Sequence, residues 1–167
     1  MYTIKSNIVN LNIYILVESL LLLWQFTRWG LFNKNSLWLK LIIVIAMIFW
    51  VTENFIISNI TKYDSFFCIF NSTINTFMSI SIINRLIATE RRSLWKNPVF
   101  IICATFIIYY SMSILSEVFW IYGLTQNVAF SNNVYAITIT TNFISIILYT
   151  LAIIWMPIKQ RFSLPSS

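Results

Sequence analysis

Three glutamates, Glu18, Glu53 and Glu117, interrupt long apolar runs, and no Lys or Arg stands in the interior of those runs to pair with them. An ionised carboxylate in apolar surroundings is costly, so each must be protonated, hydrogen-bonded, hydrated or matched by a cation from outside the chain. Binding of a cationic or polar ligand is the chemistry open to such groups, whereas a proton relay usually needs more than three scattered acids. Polar residues recur nearby at helical spacing. Asn71, Asn75 and Ser79 stand at i, i+4 and i+8, with Ser72 and Thr76 beside them; Thr138, Asn142, Ser145 and Tyr149 form a second stripe, and Thr105, Tyr109, Ser113 and Ser116 a third. Tyr14, Glu18 and Gln25 share one helical face. Polar groups facing lipid lack partners, so these stripes face one another as glue or line a polar cavity.

Much familiar chemistry is missing. Without histidine there is no histidine-ligated metal or haem, no imidazole base and no histidine pH switch. Two glycines and three prolines build no phosphate-cradling loop, and neither nucleotide-binding glycine pattern occurs. Cys68 and Cys103 both fall in apolar stretches, where a free thiol acts as a small hydrophobe. They are expected near opposite membrane faces, too far apart for a disulfide. No nucleophile, base and orienting group stand together, so the expectation is a non-enzymatic protein with no cofactor and no metal.

The elements that must position these residues follow from composition. Of 167 residues 59% are apolar and 10% charged, against about 25% charged in soluble domains. Five apolar runs predict helices over Ile8 to Phe26, Leu39 to Ser58, Ser65 to Leu86, Val99 to Tyr122 and Val134 to Met156. Lengths near 20 and the lack of ten-residue alternation argue against an outer-membrane barrel. The fold expected is an all-α membrane protein, a five-transmembrane-helix bundle forming one polytopic domain over residues 1–167. Short loops leave no linker, and no internal repeat is strong enough for an inverted-repeat transporter. Lys5 before an apolar run resembles a secretory leader, but no small-residue cleavage site follows, so the segment is expected to stay.

Nine of the eleven cations fall in three places: Arg28, Lys34 and Lys40 after span 1; Arg85, Arg91, Arg92 and Lys96 after span 3; Lys159 and Arg161 in the tail. Lys5 and Lys62 are the others, and residues 123–133 carry no charge. Cytoplasmic loops collect Lys and Arg, so this alternation places the N-terminus outside and the C-terminus in the cytoplasm. The net charge of +6 thus reads as topology and not as a nucleic-acid surface. In this frame Glu53 and Glu117 lie at similar depth, roughly 7 to 10 Å below the outer helix ends. They could share one outward pocket rimmed by Trp50, Trp120, Tyr109 or Tyr110, suited to a cationic or polar ligand. Arg85, Arg91, Arg92, Trp95 and Lys96 form the most distinctive soluble segment, a surface for anionic lipid or an acidic partner. Pro98 opens span 4, where proline is tolerated. Asn59 and Asn71 head glycosylation-like triplets at or in the membrane, read as chance.

The segments Asn97-Pro98-Val99-Phe100, Ile107-Ile108-Tyr109-Tyr110-Ser111 and Asn12-Ile13-Tyr14-Ile15-Leu16-Val17-Glu18 give the chain a resemblance to uncharacterised multi-pass membrane proteins of Bacteroidetes, often encoded near sensor histidine kinases. Those proteins tend to have an aromatic pair after the proline and a glycine before Ile-Tyr, where this chain has Val99 and Thr105-Phe106, and often one or two more N-terminal spans. The resemblance implies a sensory or accessory role with a membrane partner such as a sensor kinase, and carries no catalytic residues. The leading expectation is therefore a sensory or accessory subunit. The alternative is a small transporter or channel for a cation or polar solute, using Glu18, Glu53, Glu117, Asn71, Asn75 and Asn142 around a hydrated cavity shared by at least two carboxylates. A third is a structural subunit with a large apolar face left exposed.

Overall fold

The computed structural model describes residues 2–32, 36–89, 94–121 and 128–155, and among them every regular element is helical. Helix α1 spans Tyr2–Arg28, α2 Leu37–Thr52, α3 Ser65–Thr89, α4 Pro98–Ile121 and α5 Val128–Ile154. A π-helical turn, Glu53–Ile57, continues α2, and a 3-10 turn, Leu94–Lys96, precedes α4. Each helix holds 21 to 25 residues apolar enough to cross a membrane, counting α2 with its π turn. At about 1.5 Å per residue each exceeds 30 Å, the thickness of a hydrocarbon core.

Helix ends depart from the apolar runs where nothing stops the helix. The polar stretch before Ile8 has no Pro or Gly, and α1 begins at Tyr2. For the same reason α3 continues past Leu86 to Thr89 and α5 begins at Val128, ahead of Val134. Tyr122 and Met156, expected ends of two spans, lie outside the described residues. At Pro98 the boundary is chemical. Asn97 Oδ1 accepts the amides of Val99 at 2.8 Å and Phe100 at 3.3 Å, capping α4, and the proline occupies the first helical position, where no amide hydrogen is needed.

Helix α3 is the most buried span, and α2 and α5 are the least. The inner faces repeat at three and four residues. Helix α1 buries Asn12, Ile15, Ser19, Leu23 and Phe26, and α5 buries Val134, Thr141, Ser145 and Ala152. Small residues at these positions let backbones approach, as helix packing in lipid requires. Two apolar clusters fill the centre. Leu23, Phe26, Met78, Ile82 and Cys103 join α1, α3 and α4, while Ile15, Ala46 and Phe67 join α1, α2 and α3. Phe49 stacks on Phe70 at 4.9 Å, the offset geometry that aromatic quadrupoles favour.

Candidate functional site

Several hydroxyls in and beside the polar stripes satisfy themselves, while Ser145 Oγ is buried without a partner. Thr76, Ser79, Thr105, Thr138 and Thr141 each donate to the carbonyl four residues back, at 2.8 to 3.1 Å. In lipid this internal bond removes the cost of a polar side chain without a partner helix. The stripes are therefore only partly glue or cavity lining. Asn71 and Asn75 are buried on α3, where the Asn75 amide donates to Asn71 Oδ1 at 3.2 Å.

The three glutamates have separate settings. Glu18, half-buried on α1, accepts the Tyr110 hydroxyl at 3.2 Å and so ties α1 to α4. Glu53 is buried, and its two oxygens accept the backbone amides of Phe66 at 3.0 Å and Phe67 at 2.5 Å. It caps the N-terminus of α3 from the end of α2, where exposed amides and the helix dipole favour an anion. The π turn makes this geometry: Ser58 N–H bonds the Glu53 carbonyl at 2.8 Å, and the widened turn buries Glu53 and Asn54 together while Phe55, Ile56 and Ile57 face outward. Glu53 borders its own recess with Phe49, Thr52, Ile57 and Phe66.

Around that cap lies a polar latch whose members the three-acid reading passes over. The Asn12 amide of α1 donates to the carbonyls of Lys62 at 2.7 Å and Ile60 at 3.2 Å and lies 3.4 Å from Asn54 Oδ1. Asn54 donates to the Trp50 carbonyl at 3.0 Å and to Asp64 Oδ2. Trp50 turns its indole N–H to the Asn12 carbonyl at 3.2 Å, so it serves this latch. Asp64 is fully buried, its second oxygen has no partner, and desolvation holds its carboxyl above the ordinary range against the lowering effect of the Asn54 bond. The sequence signal for Asp64 is its place just before the apolar run of α3, a helix-start pattern.

Glu117 differs from the other two. It lines a cavity of about 190 Å³ between α4 and α5, with Tyr63, Tyr109, Trp120, Thr141 and Asn142 among its walls. Its Oε2 atom is buried without a hydrogen-bond partner, and the hydroxyls of Ser65 and Tyr63 lie within reach of the carboxylate. The structure thus brings together Glu117, Tyr109 and Asn142 of the expected pocket and adds Tyr63. It leaves Glu18, Glu53, Asn71 and Asn75 elsewhere, and Tyr110, one residue from Tyr109, turns to Glu18. Tyr63 points its hydroxyl toward Cys68 Sγ at 3.6 Å, and desolvation, reinforced by Cys68 and Glu117, keeps that phenol protonated well above its usual range.

At the opposite end, Arg85 donates through both terminal nitrogens to the carbonyls of Trp29 and Gly30, closing the C-terminus of α1. There Gly30, at φ +78°, completes a Schellman turn: Leu31 N–H bonds the Phe26 carbonyl at 3.1 Å and Gly30 N–H the Thr27 carbonyl at 2.9 Å. Trp95 is exposed, edge-on to Phe100 at 5.5 Å, and Lys96 borders a shallow recess with Trp155. Arg91 and Arg92 lie outside the described residues. Among the described residues no group of three or more acidic or thiol side chains could hold a metal. No protein-family model, curated protein or solved structure matches the chain.

Proposed function

We propose that this chain is a non-enzymatic sensory or accessory subunit of a bacterial inner membrane, in which a small solute occupying the Glu117 cavity biases the α4–α5 packing. The observation that carries the reading is Glu117 Oε2, buried and unpartnered beside a cavity on the seam of two helices. A group bound there adds contacts to one arrangement of the helices over another, which is what a ligand-driven shift requires. The cytoplasmic output surface comprises Trp95 and Lys96 with Arg91 and Arg92, and the resemblance to proteins encoded near sensor histidine kinases makes such a kinase the partner proposed.

Transport of a cation is the other reading, and it calls for a hydrated path shared by two carboxylates. Glu117 lines the cavity without Glu53 or Glu18, each of which is engaged by its own donors, and this favours sensing. A photo-crosslinking residue in place of Trp95, in cells that express the chain and its genomic neighbours, tests the proposal. Capture of a membrane partner, lost when Arg91, Arg92 and Lys96 are neutralised with topology intact, is the expected result. Unchanged capture after neutralisation would overturn the assigned surface.

A further inference from the structure

Building on the sensory reading, we infer that the Glu117 cavity is a site for a primary alkylammonium group. The donors and acceptors in its walls carry the argument. Thr141 spends its hydroxyl proton on the Ile137 carbonyl at 2.8 Å, and Thr138 spends its own on Val134 at 3.1 Å. The 3.2 Å contact between Ser116 and Thr138 therefore has Ser116 as donor, so its proton is used as well. These hydroxyls present lone pairs, beside a carboxylate oxygen that lacks a partner. The described lining contains no Lys or Arg, and residues 122–133, which follow α4, contain none either. The Glu117 oxygen and the three spent hydroxyls form an accepting side of the lining, which also holds the Asn142 amide and the Trp120 indole. A group that only donates and is positive, an ammonium with three N–H bonds, complements that accepting side.

Aromatic walls and size narrow the class. Tyr63, Tyr109 and Trp120 border the space, and aromatic faces attract a desolvated cation. A cavity of about 190 Å³ holds a solute of a few heavy atoms, below the roughly 300 Å³ at which drug-sized sites begin. Glu117 lies four residues before the end of α4, about 6 Å along its axis. An ammonium group can reach that depth as a free small amine or as the ethanolamine headgroup of a lipid.

The test uses the full chain labelled with carbon-13 at its five methionine methyls, of which Met112 borders the cavity whereas Met47 and Met78 do not. In dodecyl maltoside, propylammonium chloride should move the Met112 signal saturably and leave those of Met47 and Met78 in place. Sodium chloride at the same concentration should not. Glu117→Gln, isosteric and neutral, should weaken the response at least about tenfold, the loss of one charge-assisted hydrogen bond. If the source is lipid, the Met112 signal in phosphatidylethanolamine nanodiscs already sits at its bound position and propylammonium adds little; if the source is a free amine, it still shifts there. A Met112 signal unmoved in detergent, an equal response to sodium, or an equal loss in Glu18→Gln, whose carboxylate lies outside the cavity, overturns the assignment. Failure of the Trp95 crosslinker to capture any partner in the chain with Arg91, Arg92 and Lys96 intact would instead overturn the sensory reading and leave the ammonium site standing.

Discussion

Glu53 and Asp64 flank the start of α3 within one latch, yet their carboxylates have opposite circumstances. Glu53 accepts two backbone amides, whereas Asp64 accepts one side-chain amide and buries its other oxygen without a partner. Glu53→Gln keeps the shape, but its amide nitrogen faces a backbone N–H, so one cap bond is replaced by a clash of donors. The expected cost is about 1–2 kcal/mol, seen as a lower unfolding temperature in detergent, with Glu53→Asp, shorter but with two carboxyl oxygens to accept, losing less. For Asp64 the sign reverses. Its folded carboxyl binds the proton more tightly than the unfolded chain does, so stability falls as pH rises from the unfolded value, about 4, through the raised folded value. Asp64→Asn should raise the unfolding temperature at pH 8 and change it little near pH 4. An equal shift at both pH values would remove Asp64 as the titrating group. The sequence displays Glu53 as a lone acid in an apolar run, which makes it look like a ligand group. Its capping role depends on a chain reversal and a π turn that no local pattern specifies, and for that reason its spacing alone points to the pocket.

Among the elements, the two ends of α3 act as fasteners. Its N-terminus receives Glu53 from the end of α2, and its C-terminal Arg85 closes α1 by donating to the Trp29 and Gly30 carbonyls. The sequence places Arg85 among the inner cations, and nothing local shows that it reaches back 55 residues to a helix end. Gly30 shows what the fastening demands. At φ +78° an L side chain is strained, and a Cβ there would sit 3.3 Å from an Arg85 nitrogen. Gly30→Ala should therefore destabilise by about 1–2 kcal/mol from the backbone alone. Arg85→Met should leave two carbonyls without their guanidinium, and the double variant should lose less than the sum because both changes damage one joint. Unfolding temperatures of the four proteins in nanodiscs measure this coupling, and strict additivity would mean that the joint does not couple α1 to α3. The helices themselves were legible because an apolar run of about 20 residues has few other folded outcomes in lipid. Their ends were less so, since a run of apolar residues marks burial in the bilayer and a helix continues past it until a Pro, Gly or cap intervenes.

For the whole molecule, sequence pattern fixes the number of helices and leaves their arrangement open. The stripe on α3 shows which face turns inward, whereas that on α5 does so only in part, with Ser145 buried and Asn142 exposed. That α5 packs against α4 while α3 takes the centre depends on side-chain fit across helices. The outward faces of α2 and α5, with Val44, Ile48, Ile56, Phe143, Ile146 and Ile153 exposed, are apolar, as lipid contact requires. Which end meets the cytoplasm rests on the cations. Arg85 and the Leu94–Lys96 turn occupy the end of α3 and start of α4, opposite to the latch around Asp64 and to Glu117. The proposed orientation therefore ties the cavity to the outside and the basic surface to the inside. With Cys68 and Cys103 replaced by Ser and Ala, a cysteine at Asn59 should react with an impermeant maleimide in intact cells. A cysteine at Trp95 should react only after the membrane is opened. The reverse pattern would turn the molecule over: Glu117 would then face the cytoplasm about 6 Å below its surface, the amine reaching it would be a cytoplasmic solute, and Trp95 and Lys96 would meet an extracellular partner. Because the helix packing is the same in both orientations, the labelling decides where the ligand comes from without disturbing the geometry of its site.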